Sequence, residues 1–320
     1  MSRRTSHPAH ATAGQPYDPP APTREREVIS SAGARLHVAE HGPDDGPTVV
    51  LVHGWTCSVA FWAPVIRRLV ADGYRVIAYD QRGHGRSAPA RGAYSTQALA
   101  DDLCAVLDAV LAPGQRAVLG GHSMGGMTLM AAASRPTLRR RAAALLLCST
   151  GAEHLAPRAR VLPLPGRAAR SRAHRLLLSS ALPLGPVTPV TRRVLAYATL
   201  GPGATAEQRE AVARVVHACP RRVRAGWGRV LGSLALGHQV PRLTAPTAVL
   251  VGTRDRLTPR RHARALVAAL PNCVGLHELP GLGHMVPVED PAAVTDVLRG
   301  LARAHLTTPR ERQDQWEETV

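Results

Sequence analysis

The chain contains no lysine: all 40 of its basic residues are arginine, set among abundant Ala, Gly and Pro. That skew reads as a composition bias, so the formal charge of +17 does not by itself indicate a phosphate-binding surface. Neither an aromatic-interleaved basic stripe nor a zinc-finger or helix-turn-helix pattern accompanies it, and no nucleic-acid partner is expected. Aromatic residues are only 3% of the chain, which leaves Leu, Val and Ala to build the core. Five cysteines (Cys57, Cys104, Cys148, Cys219, Cys273) lie far apart with no C-x-x-C pair. This spacing excludes a disulfide framework and a thiolate zinc site, and the five read as small buried apolar residues. No stretch approaches about 20 uninterrupted apolar residues, so no transmembrane segment is expected, although contact with a membrane surface is left open. The N-terminus MSRRTSHPAHATAGQPYDPP has two arginines but no apolar h-region, so no secretory signal is expected. These absences point to a cytoplasmic protein.

What is present suits one large core: 320 residues, 45% hydrophobic and 20% charged. Residues 1–26 are rich in Pro, Ala, Thr and charge and read as a flexible arm; residues 307–320, with the run PRERQDQWEET, read as a loose tail. Between them, short apolar runs of strand length (Thr48–Val52, Arg75–Tyr79, Ala117–Leu119, Ala143–Leu147, Ala248–Val251) alternate with segments of helical spacing such as Ser95–Leu111 and Pro259–Leu270. This alternation predicts an α/β fold, a mainly parallel sheet with helices on both faces. One block breaks it. From about Glu153 to Val240 the pattern is helical, Pro-punctuated and Arg-rich, and Gly151–Val240 holds fourteen Arg against three Glu and no Asp. An insertion between two parallel strands emerges at the sheet's mouth, so this block is expected to form a helical cap, against the plainer reading of peripheral helices.

Four short elements carry chemistry, each just after a predicted strand. The first is Gly121-His122-Ser123-Met124-Gly125, a G-x-S-x-G between a strand and an apolar helical run. A serine on so sharp a turn projects its hydroxyl from the sheet edge. Glycines two positions either side remove side chains that would collide, and the helix N-terminus offers free amides to a developing negative charge. The second is His53-Gly54-Trp55: with the elbow downstream, the backbone amides of Trp55 and Met124 become the candidate oxyanion hole. The third and fourth are Gly252-Thr253-Arg254-Asp255 and Gly281-Leu282-Gly283-His284. A serine hydroxyl needs a base at neutral pH. His284 is placed to serve as that base and Asp255 to hold its tautomer. The chain order Ser123, Asp255, His284 is the order of the nucleophile-elbow class, and all three follow carboxyl ends of predicted strands, where open α/β sheets bind ligands.

These elements together resemble the α/β-hydrolase fold family, with matches running from about Val28 to Leu306 and the cap the least similar part. The segment Asp80-Gln81-Arg82-Gly83-His84-Gly85-Arg86-Ser87 is similar to a loop of the branch that includes esterases, cofactor-free perhydrolases and epoxide hydrolases. The resemblance implies an eight-stranded, mostly parallel sheet built from residues 27–150 and 243–306, with a helical cap at 151–242 after the sixth strand. Epoxide hydrolases and haloalkane dehalogenases of this fold use an Asp nucleophile, and Ser123 in that place argues against both reactions. Asp80, Arg82 and His84 are read as structural, because the triad is complete without them. Glu153, shortly after the sixth strand, is an alternative position for the acid.

The expected activity is therefore that of a serine hydrolase cleaving a small-molecule carboxylic ester, with no metal or organic cofactor. Apolar cap stretches (Leu176–Val190, Val230–Leu236) suggest an apolar acyl chain. The cap arginines could meet an anionic group, or lie along a solvated surface, the reading preferred here. Perhydrolysis, thioester cleavage and carbon–carbon bond hydrolysis use the same triad, and some proteins of this fold are receptors or binding modules.

Overall fold

Runs of aliphatic and β-branched residues pair into a single sheet in the computed structural model, which describes residues 17–31, 33–88, 94–162 and 164–306. Residues 1–16 of the expected arm and the whole expected tail, 307–320, lie outside the described residues. The strands are β1 (Arg24–Ile29), β2 (Arg35–His41), β3 (Thr48–Val52), β4 (Arg75–Tyr79), β5 (Ala117–His122), β6 (Ala142–Cys148), β7 (Thr247–Gly252) and β8 (Cys273–Leu279). They lie in the order β1-β2-β4-β3-β5-β6-β7-β8. The β1–β2 and β2–β4 pairings are antiparallel and the rest are parallel, so the expected fold class is the one the chain adopts.

Alternation along the strands divides the core in two. Val50, Val52, Leu119 and Leu145 face helix Thr96–Val110, whereas Val49, Leu51, Val118 and Leu146 pack with Trp62, Ile66 and Leu298 on the opposite face. Each such side chain contributes roughly 1.5–3 kcal/mol by leaving water, and a sheet covered on both faces explains why these strands read as unbroken apolar runs. Helix Thr96–Val110 begins where Ser95 caps it, the hydroxyl accepting from the Ala98 amide at 3.1 Å.

Two boundaries differ from expectation. The arm was expected to extend to residue 26, but Arg24, Glu25 and Arg26 already belong to β1, paired with Glu40, Ala39 and Val38 of β2 respectively. Their alternating charges resemble a polar loop. They form an edge strand because the Arg26 guanidinium bonds the buried Glu40 carboxylate, which Arg75 also holds at 2.6 Å. The strand expected at Ala117–Leu119 continues through Gly120 and Gly121 to His122, because a bare Gly120 fits between Leu51 and Leu298.

Between β6 and β7 the chain forms helices Leu155–Arg158, Arg167–Ser179, Pro189–Thr199, Ala206–Ala218 and Arg221–Gly232, then a 3-10 turn at Gly237–Arg242. Helix Arg221–Gly232 ties this insertion to the sheet: the fully buried Trp227 indole donates to the Arg82 carbonyl at 3.0 Å, just beyond β4. The loops leaving the carboxyl ends of β3, β4, β5, β7 and β8 carry His53–Trp55, Asp80–Ser87, Ser123, Asp255 and His284 respectively. Every candidate residue named for chemistry lies at this edge.

Candidate active site

The turn from β5 into helix Met124–Ala131 is as tight as the glycine spacing implies. Ser123 has φ 51° and ψ −114°, a conformation that costs on the order of 1–3 kcal/mol and persists only where surroundings enforce it. They do so here: the Ser123 amide donates to the Cys148 carbonyl at 2.9 Å, and the Thr150 hydroxyl donates to the Ser123 carbonyl at 2.7 Å. A methyl group on Gly121 would meet the Gly125 carbonyl oxygen at 2.6 Å, and one on Gly125 would overlap the Val52 carbonyl. Only glycine fits at either place. Met124 is the first helical residue, so its amide has no carbonyl one turn back to bond within the helix.

His284 and Asp255 meet directly. His284 Nδ1 lies 2.8 Å from Asp255 Oδ2, with both side chains almost fully buried. The carboxylate is further held by the amides of Leu257 and Thr258 on Oδ1 and by the Thr258 hydroxyl on Oδ2, each at 2.8 Å. Burial alone would raise the Asp255 pKa. The His284 ring and the Thr258 donors outweigh it and hold the carboxyl below its ordinary value, so it stays ionised. An ionised acceptor at Nδ1 fixes the proton there and leaves Nε2 free to take one.

His122, beside the serine in the chain, contacts this pair. His122 Nε2 donates to the His284 carbonyl at 2.9 Å, and the two rings lie 4.9 Å apart. Burial, followed by the nearby His284, pushes the His122 pKa down to about 3, so its ring is a neutral prop. The Ser123 hydroxyl itself takes no hydrogen-bond partner among the described residues, consistent with a contact that tightens when substrate binds.

The loop after β3 closes on the same point. A methyl group on Gly54 would lie 3.2 Å from the Ser123 Cβ and 2.7 Å from His122 Nδ1, so the backbone at Gly54–Trp55 packs against the elbow. Its shape is set from behind. His53 Nδ1 donates to the Gly54 carbonyl at 2.7 Å and its Nε2 accepts the Gln81 amide at 2.9 Å, while the Gln81 side chain bonds the His53 carbonyl. The Thr56 amide donates to His84 Nε2 at 3.3 Å. Asp80 accepts from the amides of Val59 (2.7 Å) and Arg86 (2.9 Å), and Arg82 forms a buried two-point pair with Asp102 at 2.6 and 2.8 Å. The segment Asp80–Ser87 thus braces the loop carrying Trp55.

Glu153 does not contact His284; it pairs instead with His154 at 3.4 Å. Three supporting residues escaped the sequence reading. Thr258 had a signal in the Asp-x-x-Thr spacing of a side-chain-capped turn. Thr150 had none. Glu289 accepts the amides of Gly283 (3.0 Å) and Gly201 (2.6 Å), clasping the His284 loop to the insertion. The Thr199 carbonyl completes that clasp by accepting the His284 amide at 2.8 Å.

Comparison with known proteins agrees with this architecture. The profile of the family described as serine aminopeptidase, S33, matches residues 44–291. A protein of Variovorax paradoxus (strain S110), named as carbamate hydrolase RutD, is 36% identical over 80% of this chain and 92% of its own. Among solved structures, a thermophilic esterase from Thermogutta terrifontis superposes with a TM-score of 0.72 at 26% identity, covering 89% of this chain and 100% of the other. The esterase RhEst1 from Rhodococcus sp. ECU1013 shares the fold, with a TM-score of 0.72 at 23% identity over 88% and 99% of the two chains.

Proposed function

Because this chain belongs to the S33 serine aminopeptidase family and is a hydrolase of the α/β-hydrolase fold, we propose that it cleaves a carboxylic ester by acyl transfer through Ser123, His284 and Asp255. The observation that carries the reading is the buried 2.8 Å contact between His284 Nδ1 and Asp255 Oδ2. It commits Nε2 to proton transfer. In the proposed cycle Nε2 takes the Ser123 proton as Oγ attacks the carbonyl carbon, and the Trp55 and Met124 amides receive the oxyanion. Each such donor lowers the barrier by about 2.7–4 kcal/mol. Collapse expels the alcohol, which leaves with the proton from His284. Water then gives a proton to Nε2 and its hydroxyl to the acyl carbon, releasing the acid and restoring Ser123. Asp255 stabilises the imidazolium in both halves without taking its proton.

Of the two apolar stretches expected to meet an acyl chain, Leu176–Val190 turns Leu176, Leu177, Leu182 and Val190 to solvent, whereas Leu231, Leu234 and Leu236 of Val230–Leu236 are buried, so an apolar acyl group is supported by the second stretch alone. Residues 151–242 act as the cap over the site in this reading. Five free cysteines, three of them buried, favour a reducing compartment, the cytoplasm. The test is a panel of p-nitrophenyl esters of rising acyl length with a thioester, a lactone, a peracid assay and, given RutD, a carbamate. The reading predicts the highest kcat/KM on an ester. A thioester, carbamate or perhydrolysis rate about tenfold above every ester would replace the ester assignment and keep the triad.

A further inference from the structure

Large apolar side chains facing water are unevenly distributed. Twelve are exposed among the described residues, and nine of them fall between Leu164 and Tyr197. Val190, Val194 and Tyr197 stand at i, i+4 and i+7 of helix Pro189–Thr199, so they form one outward stripe. Leu176 and Leu177 project from helix Arg167–Ser179, and Leu182, 74% exposed, lies in the connector between the two helices. An amphipathic helix in a folded domain turns its apolar stripe inward; these turn part of it out.

The same stretch is cationic. From His154 to Ala206 there are eight arginines and no carboxylate. Arg192 pairs with Glu210, whereas the exposed Arg172, Arg175 and Arg193 have no carboxylate partner among the described residues. Exposed aliphatic groups flanked by guanidinium groups complement one surface in both respects: hydrocarbon lying behind a layer of negative headgroups. A second copy of this chain would bring the same charge and repel.

We propose that the face formed by residues 164–197 docks on an anionic lipid surface. Leu176, Leu182, Val190 and Val194 enter the interface, and Arg172, Arg175 and Arg193 sit at the headgroup phosphates. Helix Pro189–Thr199 ends at the carbonyl that accepts the His284 amide, so the docked face lies one helix from the candidate site. This inference is independent of the hydrolytic reading. It is measured on Ser123→Ala, which leaves lipid esters intact.

Flotation of Ser123→Ala with vesicles of phosphatidylglycerol and phosphatidylcholine, against phosphatidylcholine alone, reads the docking directly. The expected result is binding to the anionic vesicles that weakens at 0.5 M salt. Replacing Arg172, Arg175 and Arg193 together by Gln reduces it on the order of a hundredfold. A Leu182→Ser/Val190→Ser/Val194→Ser variant also loses binding, while both sets keep the native far-ultraviolet circular dichroism and the Ser123-intact forms keep wild-type hydrolysis of p-nitrophenyl acetate. Failure to float with anionic vesicles overturns the proposal, as does flotation unchanged in both variants. A dimer in light scattering that the Leu182 set dissociates reassigns the face to a second copy and overturns it too.

Discussion

A methyl group placed on Gly54 probes the site where two loops meet. It would lie 2.7 Å from His122 Nδ1 and 3.2 Å from the Ser123 Cβ, whereas carbon contacts are comfortable only beyond about 3.5 Å. Something must retreat by roughly half an ångström. His122 is pinned by its bond to the His284 carbonyl and by contact with the Phe61 ring, 4.5 Å between centroids. Ser123 is pinned by Cys148 and Thr150. The displacement therefore falls on Gly54–Trp55, whose amide is the proposed oxyanion donor. Losing one such donor lowers kcat by about 10²–10³-fold. Overpacking should cost the fold only about 1–3 kcal/mol, so Gly54→Ala remains folded. The assay is kcat and KM on p-nitrophenyl butyrate, with urea unfolding of the same sample. The reasoning predicts the loss in kcat, with KM little changed. A folded Gly54→Ala enzyme within about threefold of wild-type kcat would refute the placement of the oxyanion site in this loop.

Asp255→Asn should lower kcat by about 10⁴-fold in a folded protein, because an amide no longer enforces the Nδ1–H tautomer; burst and steady-state kinetics measure it. Asp255 also makes a pH-dependent contribution to stability. Its folded pKa lies below the unfolded value of about 3.9, so its ionised form stabilises the fold above that pH and the contribution is lost as pH falls through the depressed pKa. The stability difference between wild type and Asp255→Asn, from urea titrations, should thus be present at pH 5 and shrink below about pH 4. Asp102→Ala removes the carboxylate from the fully buried Arg82 and should destabilise the protein by about 3–5 kcal/mol, a shift read in the urea midpoint.

The parallel strands and the elbow were legible because their physics is local. A strand buried on both faces must be apolar, and a serine at φ 51° must have glycines around it. β1 was not legible, since Arg24–Ile29 is held at the edge by ion pairs of Arg24 with Asp44 and Arg26 with Glu40, partners outside the segment itself. Gly120–Gly121 looked like a loop because the reason for Gly120, the approach of Leu51 and Leu298 from two other elements, exists only once the sheet is assembled. In the candidate site, the meeting of His284 with Asp255 was readable from motif order. Thr150 and Glu289 were not: each donates or accepts across elements that the sequence separates, Glu289 reaching Gly201 across 88 positions.

Reaction with a fluorophosphonate followed by peptide mass spectrometry tests the central claim most directly, because only an activated serine is phosphonylated at appreciable rate. The account predicts a single adduct on Ser123, absent in Ser123→Ala and strongly slowed in His284→Ala. An adduct on another residue, or labelling of Ser123 at an undiminished rate without His284, would contradict it.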